Sequence, residues 1–175
     1  GGAVGASGTV LRSDDAGSTW SAQNGIVGED TTWAAADGDI RVTGHVTVDA
    51  GVTLTVEPGV TVKFDAGKAL DINGTLIAEA VTSTNPIVFT SSAQTPAARD
   101  WGTIRFNAGA GGSLKYCEIN AASYGIYTYG NNANPTIDSC AISNNSIYGI
   151  YVDNYSAPTI SNSTLSSNSG SGIFI

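Results

Sequence analysis

The run Pro-Thr-Ile at Pro158 repeats one at Pro135, and the match continues through a Ser-rich middle to a Gly-Ile pair, so two stretches 23 residues apart coincide. A third copy, from Ser113, fits with one residue of slippage before Gly125. A recurrence of this length marks a solenoid, because one such repeat cannot bury its own apolar face and must stack on a neighbour. The chain is therefore restricted to coils piled along one axis.

Side-chain directions follow from the spacing inside a repeat. Ile137 and Ile142 are five positions apart, and strict strand alternation would send them to opposite faces. A bend at Ser139 resets the phase, so that Ile137, Cys140 and Ile142 point inward while Asp138 and Ala141 point to solvent. The same phase turns Leu114, Cys117 and Ile119 inward with Lys115 and Glu118 outward, and it buries Ile160, Ser163 and Leu165. Cys117 and Cys140 then occupy equivalent places on successive coils, about one strand spacing apart. Two readings stand for them: buried thiols acting as small hydrophobes, or a disulfide, which the distance allows.

The earlier chain reads as more of the same stack. Val46/Val48, Val52/Leu54/Val56, Val60/Val62/Phe64 and Leu70/Ile72 each fall on one face of short alternating strands. Turn chemistry separates them at Asp49, Glu57, Asp65 and Asn73-Gly74. After a looser segment around Ser91–Gly102, the strand Thr103–Phe106 leads into the clear repeats. Residues 39 to 175 have room for roughly six coils, a rod of about 30 Å if each adds one strand spacing.

Composition removes several partners. With 15 acidic residues against 7 basic ones the net charge is −8, which repels phosphate backbones and anionic lipid, so nucleic acid is not expected. No apolar run approaches the roughly 20 residues that span a bilayer as a helix, so membrane insertion is not expected. Two cysteines and the distant His45 have no zinc-like spacing; no metal and no cofactor are expected.

The stretches from Val46 to Phe64, Gly74 to Ser92, Asp100 to Phe106, Leu114 to Gly130 and Pro135 to Val152 resemble the right-handed parallel β-helix repeats of bacterial and archaeal secreted or surface proteins, the pectate-lyase-like superfold. The resemblance covers about residues 39–175 and implies an all-β parallel β-helix, extracellular or at the cell surface. It leaves function open, because that superfold hosts lyases, hydrolases, epimerases, adhesins and structural stalks. Residues 1–38 form a separate segment, an N-terminal arm or cap. Within it Ser13, Asp15, Gly17, Thr19 and Trp20 resemble the Asp-box, a β-hairpin turn of sialidase-like propellers whose carboxylate bonds backbone amides above the packed Trp. One copy cannot make a propeller, so these residues are expected to be a structural turn, not a catalytic group. The segment reads as a cap on the first coil, a remnant of a preceding domain, or an arm reaching a neighbour.

Catalysis finds little support in the residues. Lyases on this scaffold need Arg or Lys beside a neutralised uronate, and hydrolases need clustered carboxylates. The seven bases are scattered, and Asp100, Glu118, Asp138 and Asp153 read as solvated outer positions. No catalytic residue is assigned. The outer face carries a sharper signal: the residue after Ile in three Gly-Ile pairs makes an aromatic ladder of Tyr127, Tyr151 and Phe174, flanked by Tyr124, Tyr148, Tyr129 and Tyr155. Such a stripe fits stacking on sugar rings, contact with a second copy, or cross-strand support of the sheet itself. Outward threonines at 43, 47, 53, 55 and 61 read as β-propensity ahead of ice binding.

A stack ending at Ile175 would leave a coil of unpaired backbone groups, an edge that natural proteins cover, so either residues beyond Ile175 are cut off or left out, or the start of another copy sits on the end. Val4, Val10 and Leu11 lie in an apolar strand-like arm suited to cover it on another copy, and such head-to-tail contact builds an open filament. The expected function is therefore a non-catalytic structural or adhesive solenoid, self-associating or meeting a surface glycan. The alternative is a carbohydrate-binding or carbohydrate-cleaving module that uses the aromatic face.

Overall fold

The computed structural model describes residues 10–12 and 19–175. A short strand β1 (Val10–Arg12) precedes seven coils. The first coil holds β2 (Thr19–Val27) and β3 (Thr31–Trp33), and the second β4 (Asp39–Val48) and β5 (Thr53–Val56). The third holds β6 (Thr61–Phe64), β7 (Leu70–Ile72) and β8 (Thr75–Glu79), and the fourth β9 (Ile87–Ser91), β10 (Ile104–Phe106) and β11 (Gly111–Lys115). The fifth holds β12 (Cys117–Asn120), β13 (Tyr124–Tyr129) and β14 (Thr136–Asp138), and the sixth β15 (Ala141–Ser143), β16 (Tyr148–Asp153) and β17 (Thr159–Ser161). The last holds β18 (Thr164–Ser166) and β19 (Ile173–Phe174).

These strands stack into three parallel walls. One runs β4-β6-β9-β12-β15-β18, the second β4-β7-β10-β13-β16-β19, and the third β3-β5-β8-β11-β14-β17. The long β4 serves two walls, pairing with β6 through Ile40–Val42 and with β7 through Val46–Val48. The stack begins at β2, which pairs in parallel with β4, ahead of the boundary at Asp39 read from the sequence. Pairing of β1 is antiparallel, with Leu11 opposite Trp20 of its own chain. Val10 and Leu11 thus lie alongside β2 of their own first coil.

Register makes the core. Ile40, Val62, Phe89, Ile119, Ile142 and Leu165 line up along one wall. Val46, Leu70, Ile104, Ile126, Ile150 and Ile173 line up along the next. Each fully buried aliphatic of this size contributes about 1.5–3 kcal/mol. The columns open only at the last coil, where Leu165 is half-buried and Ile173 is 39% exposed. Ile160 and Ser163 likewise keep the expected phase but are only half-buried, because no described coil covers them.

The phase reset lies where the spacing demanded it. Ser139 has φ 55°, and its equivalents Tyr116 and Asn162 have φ 48° and 50°. On either side Ile137, Cys140 and Ile142 are buried while Ala141 is exposed. At Asn73-Gly74 the requirement is space, not positive φ: a Cβ on Gly74 would lie 2.2 Å from the Val52 carbonyl oxygen.

One corner of the stack is held by amides. Asn145 is fully buried; its Oδ1 accepts from the Ala122 N–H at 2.9 Å, and its Nδ2 donates to Asn168 Oδ1 at 2.9 Å. Asn168 Nδ2 in turn donates to the Ile142 carbonyl at 3.1 Å. Replacing Asn145 with Ala strands a buried backbone donor, and the expected loss is about 1–3 kcal/mol. Asn168→Ala, in the half-covered last coil, is expected to cost less. Urea unfolding of the two variants followed by circular dichroism checks the ranking.

Candidate functional site

Alternation along β13 turns Ile126 and Thr128 inward and Tyr127 and Tyr129 outward. Parallel register then places Tyr127 beside Tyr151, Tyr151 beside Phe174, and Tyr124 beside Tyr148. Tyr124, Tyr127, Tyr148, Tyr151 and Phe174 come together on the outer face of the second wall. The Tyr127 and Tyr151 rings stack at 4.8 Å and 14°, and Tyr148 stacks on Phe174 at 4.6 Å and 7°. Tyr124 packs on Tyr151 at 5.7 Å.

The rings are turned toward one another along the solenoid axis. Tyr124, Tyr127, Tyr148 and Tyr151 are half-buried, not exposed as a bare ladder would be; Phe174, Tyr129 and Tyr155 are the exposed ones. Cross-strand aromatic pairs of this kind contribute roughly 0.2–1 kcal/mol each.

Two residues outside the assigned set complete the patch. Arg105 lies in register between Asp71 and Tyr127, with its guanidinium 5.4 Å from the ring centres of both Tyr127 and Tyr129. Asp153 accepts a hydrogen bond from the Tyr127 hydroxyl at 3.1 Å. Burial and then the Asp153 contact push the Tyr127 phenol from its ordinary value up to about 12. Tyr151 is raised by the same two causes. A phenol held protonated in the fold stabilises it fully below the unfolded value near 10, and that stability is lost as pH rises through about 12. The expected result is a fall in melting temperature between about pH 10 and 12 that is shallower in Asp153→Asn. Ultraviolet absorbance of the ionising phenols against pH, beside thermal melts, reads it.

Two outward ion pairs bridge successive coils. Arg41 Nε pairs with Asp65 at 2.8 Å and Lys63 Nζ with Asp39 at 2.6 Å. Asp138 accepts from Ser161 Oγ at 2.7 Å and Asn162 Nδ2 at 2.8 Å, which holds its carboxyl below the usual range. Among the described residues no three His, Cys, Asp or Glu side chains are grouped to hold a metal ion. His45 is exposed on β4.

Cys117 and Cys140 are both buried free thiols. Their Sγ atoms lie 3.2 Å from the Ala78 carbonyl and 3.5 Å from the Leu114 carbonyl respectively. Contact with Cys140, together with burial, pushes the Cys117 thiol well above its ordinary value.

Of the N-terminal residues singled out, Val4, Ser13, Asp15 and Gly17 lie outside the described residues. Thr19 and Trp20 begin β2, and the Arg41 guanidinium sits 5.2 Å from the Trp20 ring centre. A family model described as a right handed beta helix region matches residues 45–175. No curated protein and no solved structure matches the chain.

Proposed function

Because the chain belongs to the right-handed beta helix family, and that scaffold alone names no chemistry, we propose that it is a non-catalytic structural or adhesive solenoid, placed outside the cell or on its surface. The observation that carries this reading is that several outward side chains are engaged with counterparts one coil away. Tyr127 spends a ring face on Tyr151, Asp138 binds Ser161 and Asn162, and Arg41 and Lys63 bind Asp65 and Asp39. A saccharide would need an open ring face, and an acid–base pair would need carboxylates not already tied down. These ladders instead stiffen the rod and leave its walls as flat surfaces for display or contact.

The reading is tested by incubating the protein with a panel of neutral and acidic polysaccharides. Reducing ends and unsaturated products report cleavage, and affinity electrophoresis reports binding. Neither signal is expected above a control protein. Retardation by a glycan that disappears in Tyr127→Ala and Tyr151→Ala would instead establish a carbohydrate-binding face, and product release lost in Arg105→Ala or Asp153→Asn would establish a polysaccharide-cleaving enzyme.

A further inference from the structure

We propose that Cys117 and Cys140 form an oxidation site, at which a peroxide closes a disulfide between the fifth and sixth coils. The register of β12 on β15 pairs Glu118 with Ala141, so the residues just before them, Cys117 and Cys140, sit side by side on adjacent rungs. Neighbouring strands are about 4.8 Å apart, inside the range of Cα separations that a disulfide spans. Both thiols are free, and the column they occupy runs from Ile87 to Ser163, with nothing larger between them. A disulfide is neutral and apolar, which suits this interior better than a thiolate does.

Outside the pair, Ser83, Pro86, Tyr116, Glu118, Ser139 and Ala141 line a shallow surface pocket of about 50 Å³ over Cys117. Cys117 and Cys140 are only 1% and 2% exposed, so a small oxidant reaches their sulfurs when a neighbouring rung opens. The Cys140 thiol, its pKa lowered by the hydrogen bond with Cys117, ionises more readily and attacks one peroxide oxygen, giving a sulfenic acid and releasing water after proton transfer. The Cys117 sulfur then attacks that sulfenic sulfur and expels a second water. Two thiols thus lose two hydrogens and two electrons to one peroxide. Because the thiolate is the nucleophile, the reaction quickens as pH rises.

The link matters because each coil of a solenoid contacts only its neighbours, and opening spreads from an end inward. The coil beyond Cys140 is the least buried, with Leu165 half-covered and Phe174 42% exposed. Opening that begins there must pass β15 before it reaches β12. A bond from Cys117 to Cys140 stops it at that rung, so the reduced rod unzips through the sixth coil and the oxidised one does not.

The test treats the whole chain with hydrogen peroxide at pH 7 and pH 9, followed by intact mass, thiol titration and amide exchange. The expected product is a monomer lighter by two hydrogens, with no titratable thiol, formed faster at pH 9. Its exchange in β14 and β15 should be slowed about tenfold or more, with β18 unchanged. Cys140→Ser should abolish the mass change; Cys117→Ala serves the same purpose should that variant fail to fold. Oxygen addition without hydrogen loss, a disulfide-linked dimer, or a closed bond that leaves exchange unaltered would each overturn the proposal.

Discussion

Trp101→Ala is expected to lower stability by about 3–5 kcal/mol, the cost of emptying a large aromatic site in a core that collapses only partly. The ring is fully buried, stacks on Phe64 at 4.0 Å and 7°, and donates Nε1–H to the Asn120 carbonyl at 2.8 Å. Its removal therefore leaves a cavity, an unpaired carbonyl and a Phe64 face without a partner. In a chain of this size each kcal/mol moves the melting point by about 2–4 °C, so a drop of roughly 6–20 °C is expected. Trp101→Phe keeps the stack and loses the hydrogen bond, and should lose about a third as much. Thermal melts followed by circular dichroism decide it; a drop under about 2 °C would show that this loop does not anchor the stack.

Gly112→Ala should be comparably damaging for a different reason. Gly112 has φ 122°, and a Cβ there would lie 2.0 Å from the carbonyl oxygen of Leu76 on the coil beneath. That neighbour is backbone in a parallel ladder with β8, so it cannot step aside without breaking the pairing of Gly112 with Leu76. Backbone strain of about 1–3 kcal/mol adds to overpacking of about the same size. Gly111→Ala is the control, because a Cβ there meets nothing within 4 Å. Equal denaturation midpoints for the two alanine variants would remove the close approach of coils as the explanation.

The contrast between those neighbouring glycines shows where local reading stops. Alternation is visible in the chain itself: Leu114, Cys117, Ile119, Ile137, Cys140 and Ile142 read as inward from their spacing and are all buried. The aromatic column was legible for the same reason, since Tyr127, Tyr151 and Phe174 each follow an inward Ile. Arg105 was not, although it stands directly beside Tyr127. The fourth coil carries a long excursion between Ser91 and Trp101, so 34 positions separate Arg105 from Asp71 on the rung before it, against 22 to Tyr127 on the rung after. Trp101 was hidden by the same excursion, in a segment that reads as a loose loop yet ends in a fully buried ring. Asn145 was missed because one Asn among many in a Ser-rich turn carries no sign that its amide faces inward.

The N-terminal segment shows the limit from the other side. Val10 and Leu11 read as an unpartnered arm because nothing nearby in sequence shares their repeat. The antiparallel match of Val10 and Leu11 with Ser21 and Trp20 is a pairing between residues nine to eleven positions apart that no repeat announces.

The sequence by itself determined that the chain is a stacked solenoid, which residues enter its core, and that aromatics gather on one wall. A two-residue strand period and a coil repeat are written in neighbouring positions and need no distant partner. Only the tertiary structure decided the register between coils of unequal length. That register turned the aromatic rings upon each other, set Arg105 and Asp153 against Tyr127, and put the Asn145 amide beneath Ala122. The physical reason is that register is settled by backbone hydrogen bonds and core fit between residues 22 to 34 positions apart, and no local pattern encodes that separation.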